Sequence, residues 1–200
     1  MFLILALPRR WRNIRLSTSL LTSYPQLAFL SSDDAPMLES FAFRDRARGV
    51  TVPMGPFMFL GTKSLRGIAF EYMGKPCIFD SPVSRGSLTH LTTLSTTLSD
   101  TDAHRILRLC PRLETCRLAF RVQITALRVL GHPHEHISLL RLRYLFVNQE
   151  NGVIDGPHFF DSIVLPALRS FHCNTELLLI ADPLRCLFSS PSVTPPSRIS

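Results

Sequence analysis

The chain has 200 residues, of which 46% are hydrophobic, so it is long enough to bury the core of one elongated domain. Its formal charge of +7 comes almost entirely from arginine, yet the basic residues are scattered along the chain, which excludes an obvious nucleic-acid-binding stripe. No apolar run approaches the roughly 18 to 20 residues that a membrane-spanning helix needs, so no membrane partner is expected.

A short phrase recurs seven times along the chain: a leading Leu, once replaced by Trp, with mostly apolar residues at the third and fifth positions after it. The leading residues are Trp11, Leu38, Leu65, Leu88, Leu113, Leu142 and Leu168. They lie 23 to 29 residues apart, which matches the period of leucine-rich repeats, roughly 20 to 29 residues. Because one unit is too small to bury its own apolar face, the units must stack. The predicted fold class is therefore α/β, a leucine-rich-repeat solenoid with a parallel inner sheet and irregular helix or loop returns.

Each phrase predicts one strand, in which the third and fifth residues after the leader face the core and the residue between them faces outward. The seven strands are expected near residues 11–16, 38–44, 65–72, 88–94, 113–120, 140–148 and 168–173. Together with their returns they form a leucine-rich-repeat-like domain over residues 1–188. Residues 189–200 are rich in Ser and Pro and are expected to be a disordered tail.

The returns between strands are expected to be partly helical. The clearest helix is predicted in SDTDAHRILRLCPRL, where Asp100 or Thr101 can cap the N-terminus and Pro111 ends the helix. A second, short helix is expected around residues 158–164. The returns before and after the third strand are rich in Gly and Pro, which favours loops.

The residue types that carry chemistry form no catalytic or metal-binding pattern. The five cysteines contain no C-x-x-C pair and no zinc-ligand spacing, which is typical of reduced thiols in an intracellular protein, cytoplasmic or nuclear. His132, His134 and His136 with Glu135 spell HPHEH, a zinc-compatible set, but the run lies in a predicted loop without further converging ligands. No phosphate-cradling loop, dinucleotide fingerprint, nucleophile elbow or HExxH motif occurs. We therefore expect no catalysis, no cofactor and no metal.

Six strings of the sequence carry a family resemblance. They are RWRNIRL, APMLESFAF, GSLTHLTTL, RILRLCPRLETCRL, LLRLRYLFV and LPALRSFHC. In this order, over about residues 5–175, they resemble the leucine-rich-repeat region of the fungal F-box proteins. In that family the repeats hold a substrate, while a preceding helical F-box docks on a Skp-type adaptor of a cullin ubiquitin ligase. The F-box itself is absent from this chain, so a Skp-type adaptor is expected as a partner only if an F-box exists upstream.

The resemblance implies a protein-recognition module, the substrate-binding part of an F-box ubiquitin ligase adaptor, that catalyses nothing itself. Two alternatives stay open. The chain could be a stand-alone leucine-rich-repeat scaffold or interaction protein unrelated to ubiquitin, or, less favoured, it could bind nucleic acid through its basic surface. The identity of the target protein is not contained in the sequence.

The candidate binding residues lie on the face of the predicted strands that points away from the core. The residues between the last two apolar slots form the row Arg15, Ala42, Ala69, Thr92, Arg117, Phe146 and His172. Exposed aromatic and arginine side chains are the types enriched at binding hot spots. On what should be the concave face, the candidate partner-binding residues are therefore Arg15, Arg44, Arg117, Tyr144, Phe146, Asn148 and His172.

Overall fold

A computed structural model describes residues 8–18, 27, 29–45, 57–71, 81–121, 136–150, 160 and 162–173 of the protein. The strands of these residues are β1 (Asn13–Thr18), β2 (Ser40–Asp45), β3 (Gly67–Glu71), β4 (His90–Ser99), β5 (Thr115–Arg121), β6 (Ile137–Ser138), β7 (Tyr144–Glu150), β8 (Ile163–Val164) and β9 (Ser170–Cys173). Seven of them form one parallel sheet in the order β1-β2-β3-β4-β5-β7-β9, and β6 pairs with β8 in a separate parallel ladder. The prediction of an α/β chain with a parallel sheet is confirmed.

The same turn precedes every strand of the large sheet. The backbone N–H of each leading residue donates to the carbonyl three residues earlier, at N···O distances of 3.0 to 3.4 Å. The accepting carbonyls are those of Pro8, Ala35, Thr62, Arg85, Cys110, Leu139 and Leu165. Because the leader belongs to this turn, each strand begins two residues after it, later than the sequence pattern alone indicated.

The strands are held in register by a second repeated contact. The carbonyl of Arg12, one residue after the first leader, accepts N–H groups from both Glu39 and Ser40 of the next unit, at 2.7 and 3.0 Å. The same double contact recurs at every later step across the sheet, with N···O distances of 2.8 to 3.1 Å. Each phrase position therefore lies directly beside the same position of its neighbour.

The hydrophobic core lies against one face of the large sheet. The side chains that point into it from the five central strands are at most 2% exposed, and they are Phe41, Phe43, Ile68, Phe70, Leu91, Thr93, Cys116, Leu118, Leu145 and Val147. The leaders Leu38 to Leu142 are fully buried beside them. At the two ends of the sheet, Ile14 and Phe171 are only half-buried, because β1 and β9 each have one strand neighbour among the described residues.

The helix α1 (Asp100–Leu109) covers part of this core with Ala103, Ile106 and Leu107. Its N-cap is Ser99, one residue before the predicted caps Asp100 and Thr101. The Ser99 hydroxyl accepts a hydrogen bond from the Asp102 backbone N–H at 3.0 Å and donates to the Asp102 carboxylate at 2.8 Å. This reciprocal arrangement satisfies one of the free N–H groups at the start of a helix.

The short helix expected around residues 158–164 is wrong where the structure describes it. Ile163 and Val164 form β8, and the Ile137 N–H donates to the Ser162 carbonyl at 2.7 Å. Ile137 and Ile163 are both buried, so pairing with β6 buries apolar surface and satisfies backbone groups together. Inside the described ranges no helix has the length and apolar character needed to cross a membrane.

Some predictions fall outside the described residues. These are the disordered tail at 189–200, the domain boundary at 188, and His132, His134 and Glu135 of the HPHEH run. His136, the last residue of that run, is described and exposed.

Candidate functional site

The candidate site is the outer face of the large sheet, the face opposite the core. Parallel register places the predicted row in one line across all seven strands: Arg15, Ala42, Ala69, Thr92, Arg117, Phe146 and His172. A neighbouring line, nearer the start of the strands, runs through Asn13, Ser40, Gly67, His90, Thr115, Tyr144 and Ser170. The two lines place seven copies of the repeat phrase side by side, so the character of this face depends on which residues fill them.

At the end of the face formed by β1 to β3, charges are largely matched within the protein. The Arg44 Nε lies 3.5 Å from a carboxylate oxygen of Glu71 on the next strand. Ser40 donates a hydrogen bond to the Asn13 side-chain oxygen at 2.6 Å. Arg15 is exposed at the far end of the row. This end offers small and self-paired side chains.

At the end formed by β5, β7 and β9, four side chains make what we call the aromatic–basic patch: Arg117, Tyr144, Phe146 and His172. The Arg117 guanidinium carbon lies 5.1 Å from the centre of the Phe146 ring. The Tyr144 and His172 rings are 5.4 Å apart, centre to centre. Cation–π contact and ring contact of this kind hold side chains in place on an otherwise open sheet.

Arg117 keeps its positive charge unmatched within the described part of the chain. Its Nε is buried and has no hydrogen-bond partner there, and no carboxylate lies within ion-pair distance of it. Its neighbours in register, Thr92 and Phe146, are neutral. The patch therefore presents a half-buried guanidinium that is oriented by a ring and free to meet an acceptor.

Two further arginines lie beside the patch, at the edge where the strands begin. Arg143 and Arg169 each follow a leading Leu directly, occupy adjacent units, and are exposed. The corresponding pair at the other end of the sheet, Arg12 and Glu39, is oppositely charged and lies 3.9 Å apart. Sequence reasoning missed Arg143 and Arg169; the signal was the position directly after the leader, which is charged in six of the seven phrases.

The structure brings four of the seven predicted residues together, and these are the members of the patch. Asn148 lies on β7 two residues beyond Phe146 and is half-buried, in register with Ala119. Arg15 and Arg44 lie at the opposite end of the sheet, on β1 and β2. The predicted residues thus share one face but do not form one cluster.

The chemistry available at this face is hydrogen bonding, stacking and charge. Ser170 and the His172 Nε2 are 3.0 Å apart, and no carboxylate of the described residues contacts that ring, so the pair lacks the third group that orients a catalytic base. On the core side, burial raises the pKa of the Cys110 thiol to about 12 and also raises the pKa of Cys116, so both stay protonated at neutral pH. In the described ranges, no group of three His, Cys, Asp or Glu side chains is placed to hold a metal ion.

No protein-family model matches the chain, and no curated protein or solved structure is significantly similar to it.

Proposed function

We propose that the chain is a protein-recognition module built as a leucine-rich-repeat solenoid, and that it holds its partner on the outer face of the large sheet. It acts by binding and catalyses nothing itself. The observation that carries this proposal is the aromatic–basic patch on a sheet whose other face is filled by the core.

The repeat classification is supported by the regular use of one phrase. In all seven units the leader closes the same four-residue turn, and the next residue's carbonyl accepts two N–H groups from the following unit wherever one follows. The strands follow chain order, which places successive units side by side. Units of 23 to 29 residues that contact their neighbours in this way support the classification as a stacked-repeat protein.

The recognition role is supported by what the outer face carries. A sheet face that is needed only for solvation requires no aromatic side chains, yet Tyr144 and Phe146 stand on it, half-buried against His172 and Arg117. Aromatic and arginine side chains supply much of the binding energy in protein interfaces. The aromatic ones bury large areas with only two rotatable bonds, so ordering them costs little entropy.

The resemblance to fungal F-box proteins supports a more specific form of the proposal, the substrate-binding part of a ubiquitin ligase adaptor. In that form a Skp-type adaptor is reached through an F-box upstream, and the ligation chemistry belongs to partner enzymes. Such adaptors work in the cytoplasm or nucleus, and the free thiols of Cys110, Cys116 and Cys173 suit a reducing compartment. The alternative is a stand-alone scaffold that holds its target without ligase attachment.

The test is quantitative affinity purification of the tagged protein from its native cells after mild cross-linking. Three forms are compared: the natural protein, the double variant Tyr144→Ala/Phe146→Ala, and the control Phe29→Ala. Phe29 is a matched aromatic control because it is 85% exposed on a return, away from the sheet. Circular dichroism and thermal unfolding establish that all three forms fold alike.

We expect at least one protein to be enriched with the natural and control forms and to fall by about tenfold or more with the double variant. Co-enrichment of a Skp-type adaptor and cullin supports the ligase form, whereas a patch-dependent target without them supports the scaffold form. A set of captured proteins that is identical for all three forms would overturn recognition through this face.

A further inference from the structure

We infer that the partner segment seated on the aromatic–basic patch is acidic, with an Asp or Glu carboxylate bound by Arg117. This inference rests on the proposed function, because it specifies the chemistry of the partner at the same face.

The first step is the state of Arg117. The Phe146 ring supports one face of the guanidinium, while the buried Nε has no acceptor among the described residues. A guanidinium has five N–H donors in a fixed fork that fits a carboxylate in a bidentate manner. Holding this fork in one orientation before binding reduces the entropy lost when a carboxylate arrives. Because the Nε is buried, a partner carboxylate would meet the Nη groups of this oriented guanidinium.

The second step is the charge around the patch. The strands β5 and β7 end on Arg121 and Glu150, which lie in register with each other. The rest of the region, residues 112–119, 140–148 and 168–173, contains five arginines and one carboxylate, that of Glu114. Of the arginines in this region, none forms an ion pair with another described residue. Arg143 and Arg169 stand in adjacent units at the edge, and neighbouring like charges on a sheet disfavour the folded state. A partner with negative charge would relieve that repulsion, whereas a basic or neutral partner would leave it in place.

The third step is the kind of anion. Arg117 lies on β5 and Arg169 directly before β9, so their backbone positions differ by two strand spacings, about 10 Å, across the sheet and by three residues, about 10 Å, along the strands. Together these offsets separate the two backbone positions by about 14 Å, which four to five residues of an extended peptide span, so a short acidic run reaches both cations. Tyr144 and Phe146 between them offer apolar area to the other side chains of such a peptide. At the β1 to β3 end Arg44 is already matched by Glu71, so the face lacks the continuous row of cations that a nucleic-acid backbone needs.

The experiment selects short random displayed peptides on the complete 200-residue chain and measures the affinity of the enriched sequences. Each enriched peptide is then measured against Arg117→Gln, Arg117→Lys and the control Arg10→Gln. Arg10 is an exposed arginine in the turn before β1, far along the chain from the patch. The double variant Arg143→Gln/Arg169→Gln tests the edge cations without touching the stacked side chain.

We expect enriched peptides to carry an excess of Asp and Glu over Lys and Arg, and their affinity to fall about tenfold or more with Arg117→Gln. Arg117→Lys should restore only part of the loss, because an ammonium keeps the charge but not the planar fork. Arg10→Gln should leave the affinity within about twofold. Replacing the peptide's Asp and Glu by Asn and Gln should abolish the difference between the natural chain and Arg117→Gln.

Other outcomes overturn the inference in distinguishable ways. Enriched peptides without acidic excess that still lose affinity with Tyr144→Ala would leave recognition intact and remove the acidic partner. Peptides insensitive to both Tyr144→Ala and Arg117→Gln would remove the proposed function as well. Binding of a single-stranded RNA probe that depends on Arg117 and displaces the selected peptides would replace the acidic segment with a nucleic acid.

Discussion

The two ends of the large sheet use one backbone plan for different purposes. Under β2 and β3 the core is aromatic: the Phe41 ring lies 5.4, 5.3 and 6.2 Å from the rings of Phe57, Phe59 and Phe70. Under β5 and β7 the same positions hold smaller side chains such as Cys116 and Val147, and the aromatic residues stand on the outer face instead. At the β9 end the rings of Phe160 and Phe171 also pack on the core side, 5.4 Å apart, while Tyr144 and Phe146 stand half-buried on the outer face. The core is therefore richest in rings at one end of the sheet, and the proposed recognition face lies at the other.

The largest expected effect is loss of the fold on placing a charge in the core of the β5 end. Leu118→Asp puts a carboxylate where the leucine is fully buried, in an apolar environment without a partner. Burying an unpaired charge costs several kcal/mol, which is comparable with the whole stability of a small domain. Circular dichroism during thermal unfolding should show no cooperative transition.

The matched control is Thr115→Asp, three residues earlier on the same strand and on the outer face. This variant should fold and unfold cooperatively, because its carboxylate can reach water. Equal melting temperatures for Leu118→Asp and the natural protein would show that the assigned faces of β5 are reversed.

The second effect compares a ring of the core with a ring of the patch. Phe41→Ala removes the side chain at the centre of the aromatic core, and we expect a loss of about 3–5 kcal/mol in the free energy of unfolding. Phe146→Ala removes a half-buried ring that contacts Arg117 on the outer face, and about 1 kcal/mol or less is expected. Urea unfolding of both variants measures the difference. Equal losses would mean that the patch is part of the stability core.

The two faces of the sheet could be predicted from the sequence, but the strand starts could not. Alternation along a strand fixes which residues face the core, so Phe41 and Leu118 were correctly placed on one face and Arg117 and Phe146 on the other. It does not fix where a strand begins. The N–H of Leu38 is used by the turn to Ala35, and this backbone contact has no signature in the hydrophobic pattern.

The side-chain contacts on the outer face could not be predicted from the sequence, because they also depend on backbone geometry that the hydrophobic pattern does not fix. Arg44 meets Glu71 only because strands 27 residues apart lie in exact register, and register is a property of the assembled sheet. Arg143 and Arg169 were missed because the predicted strands 140–148 and 168–173 included them, and alternation there gave them the core-facing side. The observed strands begin one residue after each arginine, and both arginines are exposed. The sequence pattern therefore predicted which residues share the outer face, but not which of them contact one another there.

The third prediction compares two buried threonines, at which replacing the hydroxyl by a methyl group should change the free energy of unfolding in opposite directions. Thr93 occupies an apolar slot of β4, is fully buried, and its hydroxyl has no hydrogen-bond partner among the described residues. Thr93→Val should therefore raise the free energy of unfolding by about 1 kcal/mol, since a methyl group replaces an unsatisfied hydroxyl.

Thr62 provides the comparison because its hydroxyl donates to the Pro36 carbonyl at 3.1 Å and contacts the Ser64 hydroxyl. Thr62→Val should lower the free energy of unfolding by about 1 kcal/mol. Urea unfolding measures both variants. A loss of stability with Thr93→Val would mean that its hydroxyl has a partner outside the described residues.

The smallest effect distinguishes how each end holds its arginine. Arg44 is held by a carboxylate, and a double-mutant cycle with Glu71→Ala should give a coupling of about 0.2–1 kcal/mol, because both side chains are partly solvated. That coupling should shrink between about 0.05 M and about 0.5 M salt, where ions screen surface charges.

Arg117 is held by a ring, and its double-mutant cycle with Phe146→Leu should give a coupling of about 0.5–1 kcal/mol. Because the ring carries no net charge, this second coupling should respond less to salt. A cycle showing no coupling between Arg117 and Phe146 would mean that the guanidinium is not oriented in advance, and the affinity gained from a fixed fork would then have to come from the partner alone.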